Sequence, residues 1–128
     1  MDKTMKKKIL LVEDDPSAAE ILSLRLRAAG YGVAVAANGV NGLEIAIADK
    51  PDIVVTDVWM PLGMGFALAY RLRQPFPNLP ILFLTGSCRP GVEEAVKSFG
   101  CARLLQKPYE TPELLGMLSD MLPEAQPA

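Results

Sequence analysis

Glu13, Asp14, Asp57, Thr85 and Lys107 are the residues of this chain whose types and spacing could do chemistry together. Carboxylates brought close repel one another, and protonation or a cation relieves the repulsion. Two or three of them, with a backbone carbonyl and waters, suit hard octahedral Mg²⁺. Lys107 adds a positive point charge, and the Thr85 hydroxyl can donate to an oxyanion. Those are the parts of phosphoryl transfer, in which positioning and charge neutralisation supply most of the catalysis. The chain has no histidine and no phosphate-binding Gly-Lys-Ser/Thr loop, which leaves an aspartate as the natural acceptor. Asp57 is the best placed. Each residue alone has a plainer reading: a helix cap for an acid after a strand, a turn for Thr85, a solvated side chain for Lys107. Their joint placement carries the weight.

That placement follows from the elements that must position them. Short apolar runs alternate with amphipathic segments. Strands are expected at 8–12, 33–36, 53–56, 81–84 and 102–105. Asp15-Pro16 is an N-cap followed by proline at the first helical position, and opens a helix to about Ala29 with Ala18, Leu22, Leu26 and Ala29 on one face. Gly30 stops it. Asn38 caps a second helix that carries Leu43 and Ile47 inward. Further helices are expected over 66–73 and 91–99, the latter stopped by Gly100. Thr111-Pro112-Glu113 is the start signal of a last one reaching Leu122. Pro61 to Gly65 is a loop, and residues 123–128 are a frayed tail after a domain spanning 1–122. Continuously apolar strands separated by helices predict a doubly wound five-stranded parallel α/β sheet covered on both faces. Ligands bind such sheets at the carboxyl ends of the strands. Glu13, Asp14, Asp57, Thr85, Gly86 and Lys107 all fall there.

Composition excludes several other functions. With 128 residues the chain is one domain, and a hydrophobic fraction of 50% is enough for a core. The net charge of −2 offers no basic excess for phosphate-backbone contacts, so direct nucleic-acid binding is disfavoured. Lacking histidine, the chain cannot run Ser-His-Asp or Cys-His catalysis, bind zinc through histidine, or phosphorylate itself on histidine. No apolar run is long enough for a signal peptide or a membrane span. Cys88 and Cys101 are too few for a disulfide framework, and a cytoplasmic location is expected.

With these residues in place, the chain resembles the receiver domains of two-component response regulators (CheY-like). The resemblance runs from Lys7 to about Leu122. It rests on Ile9-Leu10-Leu11-Val12-Glu13-Asp14-Asp15, on Pro51 to Pro61 with Asp57 and Trp59, on Gly65, on Leu84-Thr85-Gly86 and on Lys107-Pro108. It implies the flavodoxin-like strand order 2-1-3-4-5. It implies that Asp57 accepts a phosphoryl group from a sensor histidine kinase or a histidine phosphotransfer protein. Asp14, Asp57 and the backbone carbonyl of Trp59 would hold Mg²⁺, with Glu13 acting through water. Thr85 and Lys107 would bind phosphoryl oxygens, with Gly86 beside Thr85 in the switch segment. The Lys107-Pro108 bond would be cis. Phosphorylation would bias the face formed by the fourth helix, fifth strand and fifth helix toward a downstream protein, in a monomer or weak dimer.

Three positions depart from the family pattern. Leu104 stands where the family carries an inward-turning aromatic ring, so a rotating-ring switch cannot operate. Gly63-Met64 precede Gly65 in place of the usual Met and small polar residue, so the third helix is expected to start differently. Trp59 is bulky, and with Ser87 it occupies positions that tune dephosphorylation in the family. Two other functions compete. A small-molecule phosphatase of the haloacid-dehalogenase pattern needs a second aspartate where Trp59 stands. A phosphorylation-independent interaction module is favoured by Leu104 but opposed by Glu13, Asp14, Asp57, Thr85 and Lys107. Met60, Met64, Met117 and Met121 read as packing, Cys88 as a loop thiol, and Lys6-Lys7-Lys8 as a solubilising start.

Overall fold

A computed structural model describes residues 6–60 and 65–122. Five strands, β1 (Lys8–Val12), β2 (Gly32–Ala36), β3 (Ile53–Asp57), β4 (Ile81–Thr85) and β5 (Ala102–Gln106), alternate with five helices. The helices are α1 (Pro16–Ala28), α2 (Gly39–Asp49), α3 (Gly65–Leu72), α4 (Val92–Ser98) and α5 (Thr111–Met121). The strands form one sheet in the order β2-β1-β3-β4-β5, with every neighbouring pair parallel. This is the doubly wound α/β architecture that the apolar runs imply. The expected loop with Met64 at 61–64 and the tail at 123–128 lie outside the described residues.

The period-two alternation of each strand builds two cores, one per face. Leu10, Val54, Ile81 and Phe83 point to the layer that includes Leu68, Leu72, Val92 and Val96. Ile9, Leu11, Ile53, Val55, Leu82 and Leu84 point to the layer that includes Leu22, Leu26, Leu114 and Leu118. Phe66, Phe83 and Phe99 add an aromatic trio, with ring centroids 5.2 to 5.8 Å apart. Met60 is buried, and Met117 and Met121 pack against the second core.

The caps form as their residues dictate. Asp15 Oδ1 accepts from the Ser17 amide at 3.2 Å, and Asn38 Oδ1 from the Asn41 amide at 2.9 Å. The differences from expectation lie in helix phase. Ala29 is exposed, and Ala19 and Ser23 take the buried face of α1 with Leu22 and Leu26. In α2, Ile47 is exposed while Gly42 and Ala46 are buried. A Cβ on Gly42 would lie 3.2 Å from Val12 Cγ2 and 3.3 Å from Leu68 Cδ2. The helix therefore approaches the sheet on its smallest side chains, and the bulky Ile47 is turned away. At α5 the N-cap is Glu110, one residue before Thr111.

Candidate functional site

The site is built at the carboxyl edge of the sheet. β1 ends at Val12, so Glu13 and Asp14 emerge there, and the Glu13 amide is held by the Ala36 carbonyl at 3.0 Å. Asp57 is the last residue of β3, one position further into the strand than its sequence suggests, and pairs in register with Leu84. Thr85 ends β4. Its carbonyl accepts from the Lys107 amide at 2.8 Å, which fixes where the lysine leaves β5. The Lys107-Pro108 peptide is cis.

Carboxylate oxygens of Glu13, Asp14 and Asp57 all lie within 4.8 Å of one another. Glu13 is buried and Asp14 exposed, while the Asp57 side chain is 12% exposed. Glu13 Oε2 accepts from the Asp15 amide at 3.1 Å. Burial raises the Glu13 carboxyl to about 6; the charges of Asp57 and Asp14 add to this, and the Asp15 amide and Lys107 oppose it. Lys107 Nζ stands 2.9 Å from Asp57 Oδ1. Burial pulls the Lys107 ammonium down, but its close pairing with Asp57 and the charges of Asp57 and Glu13 outweigh burial and leave it raised. The approach to Oδ1 is close enough for an ion pair but lies outside hydrogen-bonding geometry. Oδ1 is buried and has no hydrogen-bond partner among the described residues.

Three hard oxygen donors so grouped, one from a carboxylate whose buried Oδ1 meets only the Lys107 ammonium, are what a divalent cation would satisfy. The residues present fit Mg²⁺.

Thr85 is buried, and its hydroxyl is engaged locally: it donates to the Ser87 carbonyl at 2.8 Å and accepts from the Ser87 amide at 3.1 Å. Gly86 is exposed. Trp59 turns its side chain toward the β4–α4 loop, where Nε1 donates to the Ser87 carbonyl at 3.2 Å. The Arg89 guanidinium lies 4.7 Å from the centroid of the Trp59 ring. Leu104 is not at the carboxylate cluster; it pairs with Phe83 in β5 and packs half-buried against the first core. Cys88 is exposed. Two flanking residues escaped the sequence reading. Tyr109 and Arg25 line a cleft with Glu13 and Lys107, and burial raises the Tyr109 phenol. The position of Tyr109, directly after Lys107-Pro108, was the available signal.

Fold and site together define a response regulator receiver, and the comparisons agree. The family model described as "Response regulator receiver domain" matches residues 9–119, and the chain belongs to that family. It is 30% identical over 119 residues to the DNA-binding dual master transcriptional regulator RpaA of Synechocystis sp., a match covering 90% of this chain and 48% of RpaA. The chain spans about half the length of the curated relatives it matches. Among solved structures it is similar to chemotaxis protein CheY4 of Vibrio cholerae. The TM-score is 0.86 at 33% identity, covering 91% of this chain and 99% of that one. It is also similar to the receiver domain of sensor histidine kinase PA1611 from Pseudomonas aeruginosa. There the TM-score is 0.82 at 28% identity, covering 91% of this chain and 97% of that domain. The PA1611 domain carries a magnesium ion coordinated in its active site cleft.

RpaA is DNA-binding. The expectation of no nucleic-acid partner is therefore narrowed to the residues of this domain. Among the described residues, no helix is long and apolar enough to cross a membrane.

Proposed function

We propose that the domain is a phosphoacceptor switch rather than a metabolic enzyme, with Asp57 as the acceptor. The observation that carries this reading is the Asp57 carboxylate: its buried Oδ1 is ion-paired with Lys107 Nζ at 2.9 Å, and the carboxylate is grouped with those of Glu13 and Asp14. In the transfer, a carboxylate oxygen of Asp57 attacks the phosphorus of a phosphohistidine on a sensor kinase or phosphotransfer protein. The P–N bond breaks, and the imidazole takes up a proton as it leaves. Asp14, Asp57 and the Trp59 carbonyl would hold Mg²⁺, with Glu13 reaching it through water. Bound there, the ion supplies charge neutralisation for the carboxylates and the phosphoryl oxygens. Lys107 pairs with one phosphoryl oxygen. The Thr85 hydroxyl leaves the Ser87 carbonyl and donates to another. The added charge of roughly −1.5 to −2 then biases the α4-β5-α5 face toward a protein partner. The receiver unit we assign is 1–122, in the cytoplasm, as a monomer or weak dimer.

Leu104 favours one other reading, an interaction module that works without phosphorylation. Incubation with Mg²⁺ and acetyl phosphate, followed by intact-mass measurement, separates the two. One acid-labile phosphoryl adduct, lost in Asp57→Asn, is expected. No adduct, together with no response to beryllofluoride, would overturn the phosphoacceptor reading in favour of the module.

A further inference from the structure

The Ser87 carbonyl is the meeting point of two side chains from different strand ends. Thr85 Oγ1, from the end of β4, donates to it at 2.8 Å. Trp59 Nε1, from the segment after β3 and 28 residues away in sequence, donates to it at 3.2 Å. A carbonyl has two lone pairs, so both bonds can form at once. Beyond Ser87 the chain passes to Arg89, whose guanidinium lies over the Trp59 ring at 4.7 Å, within cation–π range. The Arg89 carbonyl accepts from the Val92 amide at 3.1 Å, the first residue of α4. Trp59 thus grips the β4–α4 loop at two points, and α4 begins from the second. Only Val58 separates Trp59 from Asp57. Leu104, on the neighbouring strand, has no ring that could turn.

We propose that Trp59 is the positioning residue that carries the state of Asp57 into the β4–α4 loop. When the Thr85 hydroxyl turns to a group on Asp57, it leaves the Ser87 carbonyl. The indole N–H remains as that carbonyl's donor, so the carbonyl is not orphaned, and their bond tightens. The loop, with Arg89 stacked on the ring, follows. The path runs outside β5, which is why an aliphatic residue at position 104 does not break it. This inference rests on the phosphoacceptor reading.

Trp59 is the sole tryptophan, so one indole resonance in a ¹H–¹⁵N spectrum reports the bond directly. The probe is beryllofluoride with Mg²⁺. The expected result is that the Asp57 and Lys107 amides and the Trp59 indole signal all move, the indole proton downfield. In Trp59→Phe, which keeps a ring and removes the N–H, the Asp57 and Lys107 amides should still move. The displacements at Arg89 and Gly91 should fall to less than half of their wild-type size. If the Asp57 and Lys107 amides move but the indole does not, or if Arg89 and Gly91 respond fully in Trp59→Phe, the inference is overturned and the phosphoacceptor reading survives. If no amide moves in the wild type, both fall. Should Trp59→Phe not fold or not take up the adduct, the wild-type indole signal alone decides.

Discussion

Gly65, the first residue of α3, lies so close to Asp57 that a Cβ there would overlap the Asp57 carbonyl oxygen. The Gly65 amide also donates to the Val58 carbonyl at 3.0 Å. The start of α3 is therefore laid directly on the backbone that presents the candidate acceptor. A backbone oxygen cannot swing aside as a side chain can, so an added methyl must displace the strand end or the helix. Gly65→Ala is expected to lose about 1–3 kcal/mol, the usual cost of overpacking. The measurement is urea unfolding, with a lower midpoint at unchanged slope. A midpoint equal to wild type would show that the helix start gives way freely.

Lys107 and Asp57 make the second prediction. The lysine ammonium stands 2.9 Å from Asp57 Oδ1, and Asp57 is also one of the three grouped carboxylates, so lysine and cation compete for one carboxylate. Lys107→Met keeps the length of the stem and removes the charge. Mg²⁺ should then bind severalfold more tightly, read by titration of the single tryptophan's fluorescence. Phosphoryl accumulation from acetyl phosphate should fall, because one phosphoryl oxygen loses its cation. Weaker Mg²⁺ binding in the variant would refute the competition.

The sheet and the site edge were legible in the sequence for a common reason. Ile53 to Val55 and Ile81 to Leu84 are continuously apolar, and runs that short between turn residues fit strands buried on both faces. Once the strands are placed, Glu13, Asp57, Thr85 and Lys107 reach the same edge by topology alone. What stayed hidden depends on pairings far apart in the chain. Ile47 looked like a core residue because it is large, yet α2 approaches on Gly42 and Ala46. The Trp59–Ser87 bond spans 28 residues and the Arg73–Phe99 bond 26. No local periodicity encodes either.

Arg73 shows what such a pairing does for stability. Its Nε donates to the Phe99 carbonyl at 2.7 Å, Nη2 to Gly100 at 2.6 Å and Nη1 to Phe76 at 3.1 Å. One guanidinium thereby satisfies carbonyls at the end of α4, next to Gly100 and Cys101, whose φ angles are +63° and +47°. Arg73→Met should cost about 2 kcal/mol, since charged donors are lost and partly buried acceptors are left open. Arg73→Lys should recover little, because an ammonium cannot reproduce the planar fork. Full recovery in Arg73→Lys, measured by the same urea titration, would contradict the geometric argument.

Glu13 makes the metal-free domain sensitive to pH. Its carboxyl is raised from 4.5 to about 6, chiefly by burial. Below pH 4.5 the group is protonated in both the folded and unfolded states and costs nothing. Above about 6 it is ionised in both, and the burial cost is felt in full. Stability from this group therefore falls as pH rises from 4.5 to about 6. At about 1.4 kcal/mol per pKa unit the fall is at most about 2 kcal/mol. Glu13→Gln should remove it. In buffer with chelator, the variant's melting temperature should gain on the wild type across that window and then hold a constant lead. A lead that does not change with pH would place the cause elsewhere.

The lifetime of the phosphorylated state is the last expectation, and it turns on Trp59. The Asp57 side chain is only 12% exposed, so water must enter by a narrow approach. Two residues on, the indole is held against the β4–α4 loop by the Ser87 carbonyl and by Arg89. A bulky apolar ring pinned two residues from the acceptor is expected to obstruct an in-line water. It also offers that water no hydrogen-bonding group on its face. Asparagine is smaller, and its amide can both donate to and accept from water. Trp59→Asn is therefore expected to hydrolyse its acyl phosphate severalfold faster. The check is to phosphorylate both proteins, remove the donor, and follow the loss of adduct by intact mass. A wild type that loses its phosphoryl group faster than Trp59→Asn would mean that the ring does not obstruct water. Dephosphorylation would then be governed from the Thr85 and Ser87 side of the site.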